Sequence, residues 1–510
     1  MSQPPRVSAA YGYYALSLLT LINVVNYLER NVIFALFEPI KRDLGLSDAH
    51  LGWLGSAYVL VFSIAALPVG VLSDLRSRTS MTAFGVAVWS AFTSLGGLVR
   101  SFTQLLICRA AVGLGGAAAN AAGTALVADY FTGPKRALAM SIFTAGLALG
   151  GVLGILIAGQ LEALYGWRVA FMALGLPGFG LAFLAARLRD PLHWGALRPV
   201  LTQLRDLGLG VTELIRRSFP LLLGLLLGLG AAWYADRRYG ADSALDAAVF
   251  SIVAGLGLAA NILMWARGAR RTGGAGSAHV STGVQNALKE LIDGFHTVVR
   301  TPTLVWVFVG GAMISFGMNG IIGWAPAFMT RELGLTVARA SLLLGKWGLV
   351  FGIAGTLTGG FLADWLQTRF AWARVVVSSV GFLLGGPLAI WLLTIRDLDL
   401  FIPVFCAAFF FLTWYNGPLT SVIFDVTPQR IGTTVAGAYL LFIHLAGDAI
   451  ALPLVGFLSD QFGIGRAVLI LPVMALLGSI VALGAVRTVG DDMRKVAAIS
   501  PPTGAVSPAP

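Results

Sequence analysis

Arg42–Asp74 reads RDLGLSDAHLGWLGSAYVLVFSIAALPVGVLSD, and Arg331–Asp364 reads RELGLTVARASLLLGKWGLVFGIAGTLTGGFLAD. The two stretches align with a single-residue difference in length. Both put a short polar loop before a helix and close it on Gly-x-Leu-Ser/Ala-Asp, followed by Arg76 and Arg78 in the first copy and by Arg369 in the second. A repeat this long implies two related halves. The composition says in what medium they fold. At 510 residues the chain could hold roughly three soluble domains, yet 57% of it is hydrophobic, only 12% is charged and the mean hydropathy is +0.82. A soluble domain carries about 25% charged residues, so the chain reads as an all-α polytopic membrane protein. A hydrocarbon core of roughly 30 Å takes about 20 apolar residues per helix. That leaves room for a dozen or more spans and excludes a large soluble catalytic domain. The apolar runs are continuous and long, unlike the alternating strands of a β-barrel.

The runs fall at about 12–37, 50–72, 80–99, 103–130, 138–160 and 168–186, then at 303–328, 340–362, 373–395, 400–424, 433–457 and 467–486. Two more, 218–234 and 246–266, lie between the halves, which makes fourteen spans. The expected organisation is an N-terminal segment 1–11, a six-helix bundle 12–187, a central linker 188–302 with two extra membrane helices, a second six-helix bundle 303–488 and a disordered tail 489–510. Residues 283–300 have apolar positions at helical spacing with charges between them, the pattern of an interfacial amphipathic helix. The first dozen residues carry one Arg and no cleavage site of the signal-peptide kind, so the first span is expected to stay.

With the N-terminus inside, the segments on that side hold 22 Lys and Arg and the opposite segments 10, which obeys the positive-inside rule. Both termini are then cytoplasmic. The net charge of +11 is explained by this distribution rather than by nucleic acid. Cys108 and Cys406 sit inside apolar runs, and the five His are scattered, so no disulfide framework, metal site or other cofactor is expected.

At the ends of its two repeats the chain resembles the major facilitator superfamily, whose loop after the second and eighth helices reads Gly-x-Leu-x-Asp-Arg-x-Gly-Arg. Ser77 and Thr368 stand where that loop has Gly, and Leu75 and Trp365 replace its first basic residue. The resemblance covers about 12–187 and 303–488. It implies the major facilitator fold, two six-helix halves, with the extra pair between them. Within the superfamily the chain is similar to the Spinster-like branch. Asn26-Tyr27-Leu28-Glu29-Arg30 is similar to that branch's Asn-Tyr-x-Asp-Arg, and Arg109-Ala-Ala-Val-Gly113-Leu-Gly115 to its Arg-Gly-x-x-Gly-x-Gly-Glu. His444-Leu445-Ala446-Gly447-Asp448, through Pro453 to Ser459-Asp460, is similar to its His-Leu-x-Gly-Asp and Ser-Asp pattern. Glu29 replaces the branch's Asp, and Gly116 stands in place of its Glu.

An ionisable side chain near the bilayer centre costs at least about 2.5 to 3.5 kcal/mol and so marks a functional site. Glu29, Arg30, Arg109, Lys346, His444 and Asp448 are such residues, on helices that in the family line a central cavity. Glu29 is the candidate proton carrier, with Asp448 and His444 next, because a buried carboxyl and nearby Arg pull its ionisation in opposite directions. A static ion pair of Glu29 with Arg30 or Arg109 is the structural alternative. Arg109 presents a planar fork suited to carboxylate or phosphate. Arg30, Lys346, Tyr27, Asn319, Trp324 and Asn416 complete the expected substrate contacts, with Lys346 either paired to Asp448 or snorkelling to the interface. Asp74, Arg76, Arg78, Asp129, Asp364 and Arg369 read as gating charges at inner helix ends, and Asp460 with them.

Gly113-Leu-Gly115-Gly116 looks like a dinucleotide fingerprint but lies inside a span, so helix packing explains it. Gly146, Gly150 and Gly154 form a small-residue face expected to approach the opposite half. No Gly-x-x-x-x-Gly-Lys-Ser/Thr loop is present, so an ATP-driven pump is disfavoured, and an enzyme would need clustered His, Cys or paired carboxylates. The resemblance implies a secondary transporter working by alternating access, proton-coupled, moving an anionic amphipathic organic molecule such as a lysolipid. Its expected partners are that substrate, protons and membrane lipid, and it is expected as a monomer in a bacterial inner membrane. A small organic-anion or sugar-acid symporter is the alternative within the class, and a non-transporting receptor or scaffold the alternative outside it.

Overall fold

In lipid every backbone polar group must be satisfied within its own segment, and the apolar runs accordingly form helices. The computed structural model describes residues 8–75, 77–131, 134–189, 219–239, 297–428 and 431–499, with 253, 256–257 and 260. No strand occurs among them. The first half comprises α1 (Ala9–Ala35), α2 (Phe37–Leu44), α3 (Asp48–Leu75), α4 (Arg78–Gly96), α5 (Phe102–Tyr130) and α6 (Pro134–Ala186), followed by α7 (Phe219–Tyr239). The second comprises α8 (Pro302–Glu332), α9 (Val337–Gln367), α10 (Ala373–Leu392), α11 (Leu398–Leu412), α12 (Pro418–Asp425), α13 (Gly432–Ile443), α14 (Ala449–Phe462), α15 (Ile464–Ala467), α16 (Ile470–Leu483) and α17 (Val489–Ile499). Nine helical stretches among the described residues have the length and composition to cross a membrane. Ala9–Ala35 and Arg78–Gly96 have the length with more polar sequences.

The repeat is visible in the backbone. Gly45 ends α2 at φ 64° and Gly334 follows α8 at φ 65°, so corresponding glycines of the two copies adopt the same left-handed turn, which L side chains enter only at a cost. A third such glycine, Gly166 at φ 82°, bends the 53-residue α6 into two arms.

Two compact units emerge. The first contains 1–287 together with Gly323–Gly345 and Leu452–Ile464; the second contains Leu288–Ile322, Lys346–Ala451 and Gly465–Pro510. The core of the first gathers Leu19, Tyr58, Val86, Trp89, Val112 and Leu126, and that of the second Leu304, Phe382, Leu412, Ile423, Val435 and Ala475. Small residues let backbones meet, as expected in lipid. A Cβ on Gly150 would fall 2.1 Å from the Val24 carbonyl oxygen, and one on Gly154 2.4 Å from that of Leu28. The Gly146–Gly154 face therefore packs on α1 of its own half and not on the opposite half. Gly113 packs on the Tyr58 backbone in the same way, which is the packing role read from its sequence.

The tail expected to be disordered from 489 is helical over Val489–Ile499. This helix is tied down because Asp492 Oδ2 accepts hydrogen bonds from Thr303 N (3.2 Å) and Thr303 Oγ1 (2.8 Å), and Lys495 pairs with Asp492 Oδ1 at 2.9 Å. Residues 500–510 lie outside the described residues. So do most of the second extra helix and of the amphipathic stretch 283–300, whose last four residues are helical. Gly257 lies against α7, where a Cβ on Gly224 would come within 2.5 Å of its Cα.

Candidate functional site

Each unit buries its own polar cluster. In the first, Glu29 is 0% exposed and Arg109 1%. They do not form an ion pair. Arg109 spends its fork on the α1 backbone, Nη1 donating to the Glu29 carbonyl at 3.1 Å and Nη2 to the Arg30 carbonyl at 2.6 Å. The planar guanidinium spans two successive carbonyls whose first lone pairs serve the helix. Two expectations are thereby corrected: Arg109 is neither the partner of the Glu29 carboxylate nor a free fork for a substrate anion in this state.

The Glu29 carboxylate points into the bundle instead. Ser90 Oγ donates to its Oε1 at 3.5 Å, Trp89 and Thr93 of α4 flank it, and a Cβ on Gly178 of α6 would lie 3.4 Å from Oε1. Glu29 Oε2 has no hydrogen-bond partner among the described residues. Its sequence neighbour is placed differently: Arg30 is part-exposed, with its guanidinium 5.3 Å from the ring centroids of both Tyr27 and Tyr58. Tyr58 is buried and donates to Asn26 Oδ1 at 3.3 Å. Adjacent residues on a helix lie about 100° apart, so the Glu-Arg pair puts its acid inside and its base outward.

In the second unit Asp448 is 1% exposed. It accepts from Ser315 Oγ and, at 2.9 Å, from Asn319 Nδ2, while His444 Nε2 lies 3.8 Å from its Oδ2. His444–Asp448 is a π-helical turn between α13 and α14, an irregularity frequent at functional sites. Asn319, read from the sequence as a substrate contact, thus joins the Asp448 cluster. Lys346 does not: it is exposed, with Nζ 4.5 Å from the Trp347 ring centroid, which favours the snorkelling alternative. Trp324 is also displaced from the expected set. It is 0% exposed, packs on Phe37 and donates to the Leu452 carbonyl at 3.2 Å, so it is a packing residue of the first unit. Asn416 is exposed and donates to Thr356 Oγ1 at 3.2 Å.

Among the expected gating charges, Arg78 pairs with Asp129. Asp364 pairs with Arg374 at 2.9 Å, and Arg374 with Asp425 at 2.5 Å, whereas Arg369 stacks on Trp365. Arg374 therefore takes the place read for Arg369. The side chain of Asp74 and all of Arg76 lie outside the described residues. Asp460 belongs to the other end of α3: its carboxylate accepts from the N–H groups of Asp48 (2.8 Å) and Ala49 (2.9 Å), capping the helix start.

Around that cap is a cluster missed in the sequence. Asp48, 2% exposed, takes both arms of Arg331 at 2.5 and 2.7 Å, Lys41 at 2.5 Å and Ser459 Oγ at 2.5 Å. Arg331 also reaches Glu38 at 2.5 Å. All six residues lie in the first unit, although Arg331 opens the second copy of the repeat.

A duplicated all-helical membrane fold with buried ionisable clusters defines the class: a polytopic transporter. Residues 19–245 match the profile of the Major Facilitator Superfamily, and residues 266–392 that of the Organic Anion Transporter Polypeptide family. The chain is thus similar over part of its length to the major facilitator superfamily and, within it, to Spinster proteins. It is 25% identical to an MFS-type efflux pump of Mycolicibacterium smegmatis over 94% of this chain and 92% of that one. It is 23% identical to the sphingosine-1-phosphate transporter of Mus musculus over 91% and 75%. The fold matches the crystal structure of a bacterial homologue of the human lysosomal transporter Spinster with a TM-score of 0.71 at 20% identity, over 95% of this chain and 99% of that one.

Proposed function

We propose that the chain is a proton-coupled secondary transporter that works by alternating access and moves an anionic amphipathic organic molecule across a bacterial inner membrane, with both termini cytoplasmic. The observation that carries this reading is the split placement of Glu29 and Arg30, a carboxyl sealed inside the first bundle beside a part-exposed cation between two tyrosines. Arg30, with Tyr27 and Tyr58, serves as the receptor for the anionic headgroup. Arg109 acts behind it, fixing the backbone of both residues. Protonation of Glu29 alters the charge next to Arg30, so proton and substrate occupancy are linked through one helix turn. Asp448, with Ser315, Asn319 and His444, supplies a second polar site in the other unit. An anionic substrate is supported by the profile match at 266–392, and an amphipathic one by similarity to a sphingosine-1-phosphate transporter.

The test uses purified protein in lipid vesicles, with sphingosine 1-phosphate and a lysophospholipid as trial solutes. Glu29→Gln should exchange solute across the membrane at near the wild-type rate and lose acceleration by an imposed pH gradient. A full gradient response in this variant would remove Glu29 from coupling, and Asp448 would be tested next. Absence of transport of every anionic amphiphile offered, with transport of a sugar acid instead, would overturn the substrate class.

A further inference from the structure

The end of the first unit where α1 begins and α5 and α6 finish carries charges that the transport reading leaves unused. After Ala186, the last residue of α6, the chain continues Arg187-Leu188-Arg189. Leu188 is buried in the core, and the arginines on either side of it are exposed. Arg189 is held there by its backbone. Its N–H donates to the Tyr11 hydroxyl at 2.7 Å and its carbonyl accepts from the Tyr130 hydroxyl at 2.5 Å, so the first turn of α1 and the last residue of α5 fix it between them. Tyr11 accepts in that bond and has its own hydroxyl proton to give. The Arg189 guanidinium stands 5.0 Å from the Tyr11 ring centroid, and that of Arg187 stands 4.4 Å from the centroid of the exposed Phe183 ring. Neither arginine has an ion pair among the described residues. An arginine resting on a ring keeps N–H donors for a phosphate.

The neighbourhood sets these cations at headgroup depth. Tyr13 and Tyr14 are exposed at the start of α1, and the Tyr11 ring centroid lies 5.9 Å from that of Tyr14 and 6.1 Å from that of Tyr130. Tyrosines gather where a bilayer meets water, ring on the apolar side and hydroxyl on the polar one. The apolar surface of α6 ends beside them on the exposed Phe183 and Leu184. Charge then selects the occupant. From Arg187 to Arg217 the chain has six Arg against Asp190, Asp206 and Glu213, and Asp129, near the end of α5, is already paired with Arg78. Basic groups between helix ends at such a depth attract anionic headgroups. We propose that Arg187 and Arg189, resting on their rings, form a binding site for the phosphate headgroup of an anionic phospholipid in the leaflet where α1 begins. Two residues apart, they are within about 7 Å of each other along the chain, so one headgroup engages both. Arg189 and Tyr11 donate to the phosphate, Arg187 adds the second charge, and the acyl chains lie along α6 past Phe183.

The test is of binding, so its outcome does not depend on Glu29 carrying a proton. Purified protein is stripped of lipid in a neutral detergent and titrated with phosphatidylglycerol or phosphatidylcholine, and native mass spectrometry counts what stays bound. Phosphatidylglycerol should be retained and phosphatidylcholine released. A basic residue near the membrane surface adds roughly fivefold to anionic-lipid affinity, so Arg187→Gln and Arg189→Gln should each lose about that factor and the double variant about 25-fold. Both side chains are exposed, and Arg189→Gln keeps its two backbone bonds to the tyrosines, so these variants keep the fold. Tyr11→Phe keeps every charge while releasing the Arg189 N–H, and it should weaken retention several-fold, which net charge alone would not do. The paired change Lys135→Gln with Arg136→Gln removes two other exposed cations from the start of α6 and should leave retention unchanged, as should Arg30→Gln. Wild-type retention in the Arg187 and Arg189 double variant would overturn the proposal, as would equal retention of the two lipids. An equal loss in the Lys135 and Arg136 variant would reduce the site to net charge, and a loss in Arg30→Gln alone would put the lipid at the transport cluster. Displacement of the lipid by glycerol phosphate would make the ligand a free phosphate; each of these three results also overturns the proposal.

Discussion

Asp48→Asn should loosen the end of the first unit at which α2, α3 and Arg331 meet. Asp48 holds two cations while almost wholly buried: Arg331 in bidentate contact at 2.5 and 2.7 Å, and Lys41 at 2.5 Å. Removing one partner of a buried pair costs about 3 to 5 kcal/mol. Arg331 is 20% exposed and keeps Glu38, and Lys41 is 32% exposed, so solvent and the remaining acid return part of that cost. About 2 to 3 kcal/mol is left. If transport requires these segments to part, that figure multiplies the population of the parted state by roughly 30- to 150-fold, since each 1.4 kcal/mol is tenfold. Ser341→Cys provides the assay. Ser341 is 0% exposed and packs on Gly159, so a membrane-impermeant maleimide reaches it only when the contact opens. Labelling should speed up by that factor in Asp48→Asn. Arg331→Gln should give a similar rise, and the double variant should be far from additive because both break one pair. Equal labelling rates in wild type and Asp48→Asn would refute the reasoning, as would a rise matched by general unfolding in a thermal melt.

Arg109→Lys keeps a charge but cannot bridge two carbonyls. It should lower stability by about 2 kcal/mol, within the range for hydrogen bonds to charged groups, and a melting curve of the purified protein will read this; an unchanged melt would mean the clamp contributes nothing. Asp448→Asn should slow solute exchange more than His444→Gln does, because Ser315 and Asn319 both donate to Asp448 whereas His444 stands 3.8 Å away; equal rates would remove the cluster from the transport path. Burial pushes the Asp492 carboxyl up, but hydrogen bonds from Lys495 and Thr303 hold it below its ordinary value. Its anchoring is therefore complete above the ordinary carboxylate value near 4 and is lost as pH falls through the lower folded value. Hydrogen exchange over Val489–Ile499 should stay slow from neutral pH down to about 5 and be fast throughout in Asp492→Asn.

The helices and the duplication are legible in the sequence because they depend on hydropathy over twenty residues and on a repeat more than thirty residues long. The clusters are harder, since they depend on where one side chain turns. Nothing in Arg-Ala-Ala-Val-Gly says that the Arg109 fork meets carbonyls rather than a carboxylate; both present oxygen acceptors to its N–H groups. Lys346 looks like a partner for Asp448 only if it points inward, and a neighbouring Trp347 offers its ring as a nearer resting place. Trp324 sits among apolar residues that a cavity or a packed core would use equally. Arg331 and Asp48 could have been found. Arg42-Asp43-Leu44-Gly45-Leu46 and Arg331-Glu332-Leu333-Gly334-Leu335 repeat one pattern, and a pattern that keeps its charges through a duplication invites a search for their partners.

Asp460 shows why a short motif cannot report its depth in the membrane. Leu72-Ser73-Asp74 and Leu458-Ser459-Asp460 are the same three residues, each after Gly-x, and invite the same reading as inner gate charges. Yet α3 runs away from Asp48 towards Asp74, while α14 runs towards Asp48 and ends with Ser459 and Asp460 upon it. Chain direction assigns the two motifs to opposite ends of α3; local sequence carries no such polarity. The repeat does carry it. Arg78 and Asp129 join the start of α4 to the end of α5, and Arg374 and Asp425 join the start of α10 to the end of α12, the corresponding positions of the second half. The second pair was missed because its loop is longer: Arg374 follows Asp364 by ten residues, where Arg78 follows Asp74 by four. Arg374→Gln should therefore weaken the end of its bundle as Arg78→Gln weakens the first, and hydrogen exchange at 418–425 and at 122–129 should rise together in the respective variants. A rise in one half alone would mean that the duplicated charges have parted in role.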